Sequence, residues 1–284
     1  AVDFIYYWWH RASHRVNFLW AAHAVHHQSE DYNLAVALRQ AVLTPFTSLP
    51  FSLPLAAIGI PPLIYITADA LSTLYQFWIH TELVGRLGPL EQVINTPAHH
   101  RVHHARNPEY LDRNYGAMLI VWDRMFGTYA PERAPPRYGI TKAFRSFNAL
   151  WAQLHPIAEL AALARGAPGW RDRLRVWLAP PERSFPWHAA AVAPAETRDK
   201  FDLPVSRGLR AYLLASFALA VAATFGLMLW SERMPGPRLA VGAALVLLAM
   251  FTTGALIEAR RWARPLELAR VMITLVALVW FVRG

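Results

Sequence analysis

No cysteine occurs in these 284 residues, which excludes disulfides, zinc–thiolate sites and iron–sulfur clusters at once. Charge is nearly as scarce. Only 17% of the residues are Asp, Glu, Lys or Arg, against 55% that are apolar, the profile of a chain that sits in lipid. The 28 basic residues outnumber the 19 acidic ones, but they are spread through the loops between apolar runs. They form no basic tract interleaved with aromatics, so nucleic acid is not an expected partner. No charged leader followed by an apolar run and a cleavage motif opens the chain, so no signal peptide is expected. Internal repeats and low-complexity tracts are also missing.

What the chain does have is long apolar runs. Residues 41–60 carry no charge, and residues 61–79 carry only Asp69. Pro45, Pro50 and Pro54 interrupt the first run, and Pro61-Pro62 marks a turn, because proline removes a backbone donor and disfavours helix in the residue before it. The pattern predicts a helical hairpin that dips into the membrane and returns, with both ends on one side. Three further runs, 209–230, 239–257 and 266–282, are each long enough to cross a hydrocarbon core of about 30 Å. Residues 2–9 read as the end of another apolar helix, with further spans expected upstream. The fold class expected is therefore all-α, a polytopic integral membrane protein. Residues 81–207 hold 17 of the 28 Lys and Arg residues, which places that stretch in the cytosol by the positive-inside rule. Within it, Trp170, Leu174, Trp177 and Leu178 share one helical face opposite Arg171, Asp172, Arg173 and Arg175. Such a helix suits either a membrane interface or the flank of a folded domain.

Ten of the twelve histidines fall between positions 10 and 104. Eight form clusters, His10 with His14, His23 with His26 and His27, and His100 with His103 and His104. On a helix, residues three or four apart project from one face, so each cluster aims its imidazoles at one region. A lone histidine is ordinarily a surface or core residue, and His155 and His188 are read so. Three clusters at helical spacing are a metal-ligand signature. One ion takes about four to six protein ligands, so eight imidazoles, with His80 and His99 in reserve, point to two metals. Glu30, Asp31, Glu82 and Asp112 lie near the clusters and are expected to accept the remaining ring N–H groups.

The order HRASH, HAVHH and HRVHH resembles the fatty acid hydroxylase and sterol desaturase superfamily of membrane diiron enzymes. The stretches WAAHAVHHQSEDYNLAVALRQ, LYQFWIHTELVGRLGPLE and NTPAHHRVHHARNPEYLDRNYGAMLIVWDRMFGTY are similar to its ether-lipid branch. The resemblance implies His10, His14, His23, His26, His27, His100, His103 and His104 as iron ligands with His80 as a ninth, and His99 as a supporting residue outside the HxxHH frame. It implies two iron ions and tetrahydrobiopterin as reductant. Position 15 departs from the branch: an acid follows HRxxH in the animal enzymes and Arg15 stands here, which bears on how a pterin would be placed. Asn114 and Tyr115, in the NYG stretch, and Glu82 are candidates for catalytic roles beside the metals.

The domain division expected is a catalytic domain at 1–145, a peripheral region and linker at 146–207, and three membrane helices at 208–284. The activity the resemblance implies is O₂-dependent hydroxylation of the ether carbon of an alkylglycerol lipid, releasing a fatty aldehyde and a glycerol product, with the site facing the cytosol. Two alternatives stay open at this point. One is a sterol, carotenoid or fatty acyl hydroxylase or desaturase fed by a redox partner, and the other is a non-catalytic membrane protein that binds metal or lipid.

Overall fold

The structure, a computed structural model, describes residues 1–181 and 199–283. His188 and the rest of residues 182–198, within the expected peripheral region and linker, lie outside the described residues. Twelve α-helices and two short 3₁₀ turns account for the regular structure among the described residues, with only two isolated β-bridges, Ile94 to Leu119 and Ala105 to Tyr138. The chain divides into two compact units, Ala1–Phe144 with Gln153–Lys200 and Arg145–Ala152 with Phe201–Gly284.

In the first unit α1 (Val2–Arg15) and α2 (Asn17–His27) are separated by the single residue Val16, which is extended at φ −130° and ψ 120°. α3 (Leu34–Leu38) is one turn, capped by the Asn33 side chain accepting from Ala35 N at 2.9 Å. α4 (Thr44–Ala57) and α5 (Pro62–Ile79) then form the expected hairpin, turned at Gly59, whose φ of 84° suits glycine. α4 is not interrupted by its prolines. It runs through Pro50 and Pro54, and the Thr47, Ser48 and Ser52 hydroxyls donate back to the carbonyls three residues earlier. Both hairpin arms present large apolar side chains outward, among them Phe46 at 71%, Leu63 at 75% and Leu74 at 68% exposure. A continuous apolar surface of this kind marks a face covered by lipid or by another chain.

α6 (Pro97–His104) starts in a capping box between Thr96 and His99, and α7 (Val121–Met125) is a single turn. Residues 115–120 are irregular. They are held by Asp123, which is fully buried and accepts from Tyr115 N at 2.7 Å, Gly116 N at 2.8 Å and the Thr128 hydroxyl at 2.6 Å. At Gly116 a Cβ would lie 2.3 Å from the Leu119 carbonyl oxygen, so the loop closes only on glycine.

α8 (Ala149–Gly166) and α9 (Trp170–Leu178) complete the unit, with Leu160, Ala164 and Val176 packed on Ala21 of α2. Asn17 fixes α9 further, donating through Nδ2 to Val176 O at 2.7 Å and through its backbone N–H to Ala179 O at 3.0 Å. α9 thus docks through Val176 while Trp170, Leu174 and Leu178 stay exposed.

The second unit packs α10 (Arg207–Trp230), α11 (Gly236–Ile257) and α12 (Ala263–Arg283) in sequence. α10 and α11 are long and apolar enough to cross a membrane. α12, expected as a third span, does not meet that standard. It carries Arg264, Glu267 and Arg270, with Glu267 buried between the Arg270 guanidinium and the Tyr212 hydroxyl.

Because Asp123 answers three donors that nothing else reaches so directly, Asp123→Ala is expected to destabilise the first unit by roughly 3 to 5 kcal/mol, from several buried donors losing a charged acceptor. Thermal or chemical unfolding of the detergent-solubilised protein checks this.

Candidate metal centre

Four chain segments bring nine imidazoles together. α1 supplies His10 and His14, α2 supplies His23, His26 and His27, the residue capping α5 is His80, and α6 supplies His100, His103 and His104. They sort into two groups, His10, His14, His23, His27 and His103 in one and His26, His80, His100 and His104 in the other, with the ligand atoms of each group within 4.8 Å of one another. All nine side chains are buried. His80, a reserve candidate in the sequence, stands fully inside the second group. His99 belongs to neither. Its Nδ1 lies 3.4 Å from Thr96 N in the capping box and its ring packs on Tyr129.

The ring orientations are set by the main chain. Nδ1 of His10 donates to Tyr115 O at 2.8 Å, that of His26 to Arg39 O at 3.2 Å, that of His80 to Gln76 O at 2.7 Å and that of His103 to Arg113 O at 2.9 Å. A carbonyl can only accept, so each of these Nδ1 atoms bears the proton and each Nε2 carries a lone pair in the neutral ring. His26 Nε2 and His80 Nε2 nevertheless face each other at 3.3 Å. Two acceptors at that distance repel unless a cation lies between them. Contacts of 3.0–3.2 Å link further Nε2 atoms, His10 and His27 to His23, and His100 to His80 and His104. That is about the separation of neighbouring ligands that each sit about 2.0–2.1 Å from one ion. Nε2 of His14 and of His103 is buried with no hydrogen-bond partner, an arrangement that costs free energy unless the atom coordinates something. The donor set fits two metal ions.

Burial, reinforced by the neighbouring imidazoles, pushes His23, His26, His27, His100, His103 and His104 well below the ordinary histidine value. Burial alone takes His80 down to about 4. The rings are therefore neutral near pH 7, the form that ligates.

Main-chain carbonyls orient four of the rings, the part expected of carboxylates. Asp31 pairs with Lys200 at the surface. Glu82 is exposed and accepts from the Tyr138 hydroxyl at 3.2 Å. It reaches the histidines only through the stack of Tyr138 on Tyr32 and of Tyr32 on His80. Asp112 alone approaches a ring, with Oδ1 3.8 Å from His14 Nδ1 and Oδ2 accepting from Arg15 Nη1 at 2.7 Å. Asn114 is fully buried, but its amide bonds to the main chain at His99 and Ala130, bracing α6. Tyr115 lies against His10, His14 and His103, with ring centroids 5.3–6.0 Å away. Burial pushes its phenol above the ordinary value.

Two supporting residues escaped the sequence reading. Asp123 anchors the loop whose Tyr115 carbonyl orients His10. Arg101, inside HRVHH, donates to Thr81 O at 3.1 Å and Val84 O at 2.8 Å while paired twice with Glu132, fixing the backbone beside His80. A burial pattern of charged residues would have betrayed both, but one sequence does not show burial.

A cavity of about 370 Å³ opens on the five-histidine group. His14, His27 and His103 stand on its wall, and Trp20, Ile140 and Leu163 supply apolar surface.

The fatty acid hydroxylase family profile matches residues 1–128. Over 279 residues, 96% of the chain, it is 37% identical to human alkylglycerol monooxygenase, covering 62% of that protein. It is 47% identical over 175 residues to the Xenopus tropicalis alkylglycerol monooxygenase, covering 62% of this chain and 39% of the relative. Ornithine lipid hydroxylase of Rhizobium tropici is 30% identical over 155 residues, 53% of this chain and 47% of its own length. The chain thus spans less than two thirds of each of these relatives. No solved structure matches. The nine buried imidazoles lie within the matched segment, and these first 128 residues belong to the fatty acid hydroxylase family.

Proposed function

We propose that the protein is a membrane-bound diiron monooxygenase that cleaves the ether bond of alkylglycerol lipids. The observation that carries the metal half of this reading is the opposition of His26 and His80 through two lone pairs. The observation that carries the substrate half is similarity to alkylglycerol monooxygenases across 96% of the chain.

His10, His14, His23, His27 and His103 would hold one iron, and His26, His80, His100 and His104 the other. Iron bound there supplies activation of O₂, which redox-inert zinc would not. The protein supplies the rest. Its main-chain carbonyls hold the Nδ1 protons of His10, His26, His80 and His103 away from the metals. The rings of Trp9, Trp20 and Tyr115 pack on the five-histidine group and limit water there. The cavity admits a substrate to that group rather than to the four-histidine group, of which only His104 lines it. One oxygen atom of O₂ enters the C–H bond next to the ether oxygen, and the other leaves as water with two electrons and two protons from a reduced pterin. The resulting hemiacetal breaks its C–O bond to give a fatty aldehyde and a free glycerol hydroxyl.

The membrane arrangement supported is multi-pass, with the hairpin of α4 and α5 seated in one leaflet and the histidines on the cytosolic side. α10 is about 36 Å long at about 1.5 Å per residue, enough to cross. The short loop at 258–264 has three arginines and that at 231–238 has two, which places the former inside.

Three outcomes are expected. Purified protein should contain two iron ions per chain by elemental analysis, and His26→Ala or His103→Ala should lower that content and abolish turnover; active protein with one ion contradicts the dinuclear reading. Membranes containing the protein, given 1-O-alkylglycerol, O₂ and a reduced pterin, should release fatty aldehyde. Turnover supported only by NADPH and a redox protein replaces the reductant, and hydroxylated sterol or acyl chains replace the substrate. A reporter inserted in the 231–238 loop should be non-cytosolic while tags at 130–138 and 258–264 are cytosolic; all on one side would mean that α10 and α11 do not cross.

A further inference from the structure

We infer that Asp112, held by Arg15, is the residue that recognises the glycerol diol of the substrate at the metal end of the cavity. The inference rests on the ether-lipid reading above and adds to it the group that reads the polar head. Asp112 lies on the cavity wall together with His14, His27 and His103. It is a charged group beside a set of neutral rings, and its position is built rather than incidental. Its backbone is left-handed, at φ 59°, a conformation unfavourable for most non-glycine residues although Asp and Asn tolerate it best. Arg15 Nη1 holds Oδ2 at 2.7 Å across 97 residues of sequence, and Oδ1 is turned toward His14. The pair is only half covered, with side-chain exposures of 40% for Arg15 and 32% for Asp112, so both a substrate and solvent can reach it.

Substrate geometry explains why a carboxylate belongs here. In a 1-O-alkylglycerol the carbon to be oxidised is four bonds from the 2-hydroxyl oxygen and five from the 3-hydroxyl oxygen, about 4 to 6 Å at about 1.5 Å per bond. When that carbon is at the five-histidine group, both hydroxyls fall about one imidazole's width away, where Asp112 stands across the His14 ring. An ionised carboxylate accepts about four hydrogen bonds, so Asp112 can take O–H donors beside the Arg15 contact. Hydrogen bonds to a charged acceptor are roughly twice as strong as neutral ones. Trp20, Leu160 and Leu163 in the same cavity offer nothing to a hydroxyl, and of the other charged side chains on its wall Lys142 and Glu159 pair with each other while Arg106 donates to Tyr138 O.

The test uses the full chain in lipid nanodiscs, with 1-O-hexadecylglycerol and its 2,3-di-O-methyl ether as probes. Equilibrium binding is measured on metal-free and iron-loaded protein, and KM and kcat on the loaded enzyme. The wild type is expected to bind the diol about tenfold more tightly than the dimethyl ether, for two charge-assisted hydrogen bonds. In Asp112→Asn, where Asn accepts the same backbone conformation, the preference should fall to within about twofold, with KM for the diol rising more than kcat falls. Arg15→Gln should give an intermediate preference, since Asp112 keeps its charge but loses its brace; if Asp112→Asn fails to retain iron, the Arg15→Gln ratio decides. A wild-type ratio near one, or an undiminished preference in the variants, overturns the assignment of Asp112. Failure of the wild type to release aldehyde instead overturns the ether-lipid reading, so the two failures are distinct.

Discussion

Everything in the first unit is subordinate to one repulsion, that among nine neutral, buried imidazoles whose ligand atoms converge in two small volumes. Left alone, such a set would turn its rings, trade tautomers or admit solvent. The main chain prevents each escape. Carbonyls at Arg39, Gln76, Arg113 and Tyr115 pin four Nδ1 protons, and a pinned proton on one nitrogen fixes a lone pair on the other. The arrangement is stable only with cations to share, so binding metal and completing the fold draw on the same free energy.

The supports of these carbonyls lie far from them in sequence, and this gives the unit its architecture. Asp123 gathers two backbone N–H groups and a threonine hydroxyl, and the loop it closes presents Tyr115 O to His10, 105 residues away. Asp3 completes the same wall, accepting from Met118 N and Trp122 Nε1 at 2.8 and 2.7 Å. Arg101 does for the segment after His80 what Asp123 does for the NYG loop. Buried charges are costly without partners, and here each is matched to main-chain groups that would themselves be unsatisfied.

The helical character of the chain, its hairpin and its histidine clusters were legible because they are local. Residues three or four apart share a face whatever the fold does later, and prolines at 61 and 62 turn an apolar run wherever it goes. His80 was visible only as a candidate, since it has no histidine neighbour in sequence and reaches the second group through the fold. The orienting partners were misread. Carboxylates were expected from proximity in sequence, whereas a backbone carbonyl is carried by every residue and leaves no mark on composition. Proline removes a donor and so reads as a break, yet α4 continues through Pro50 and Pro54. Asp123 and the Arg15 to Asp112 pair depend on contacts across the fold that no periodicity encodes.

The single extended residue between α1 and α2 sets a limit on how this protein can change over evolutionary time. Val16 lets two helices meet so that His10 and His14 share a group with His23 and His27. Residue 16 itself has wide freedom of identity, because its extended backbone suits many side chains. Its number does not. One residue added to or removed from α2 before His23 would rotate the three histidines that follow by about 100° around the helix, carrying lone pairs out of both groups together. Lineages can therefore drift in composition at this joint but not in length, and the spacing of nine residues between His14 and His23 is a more durable signature of the site than any of the residues that fill it.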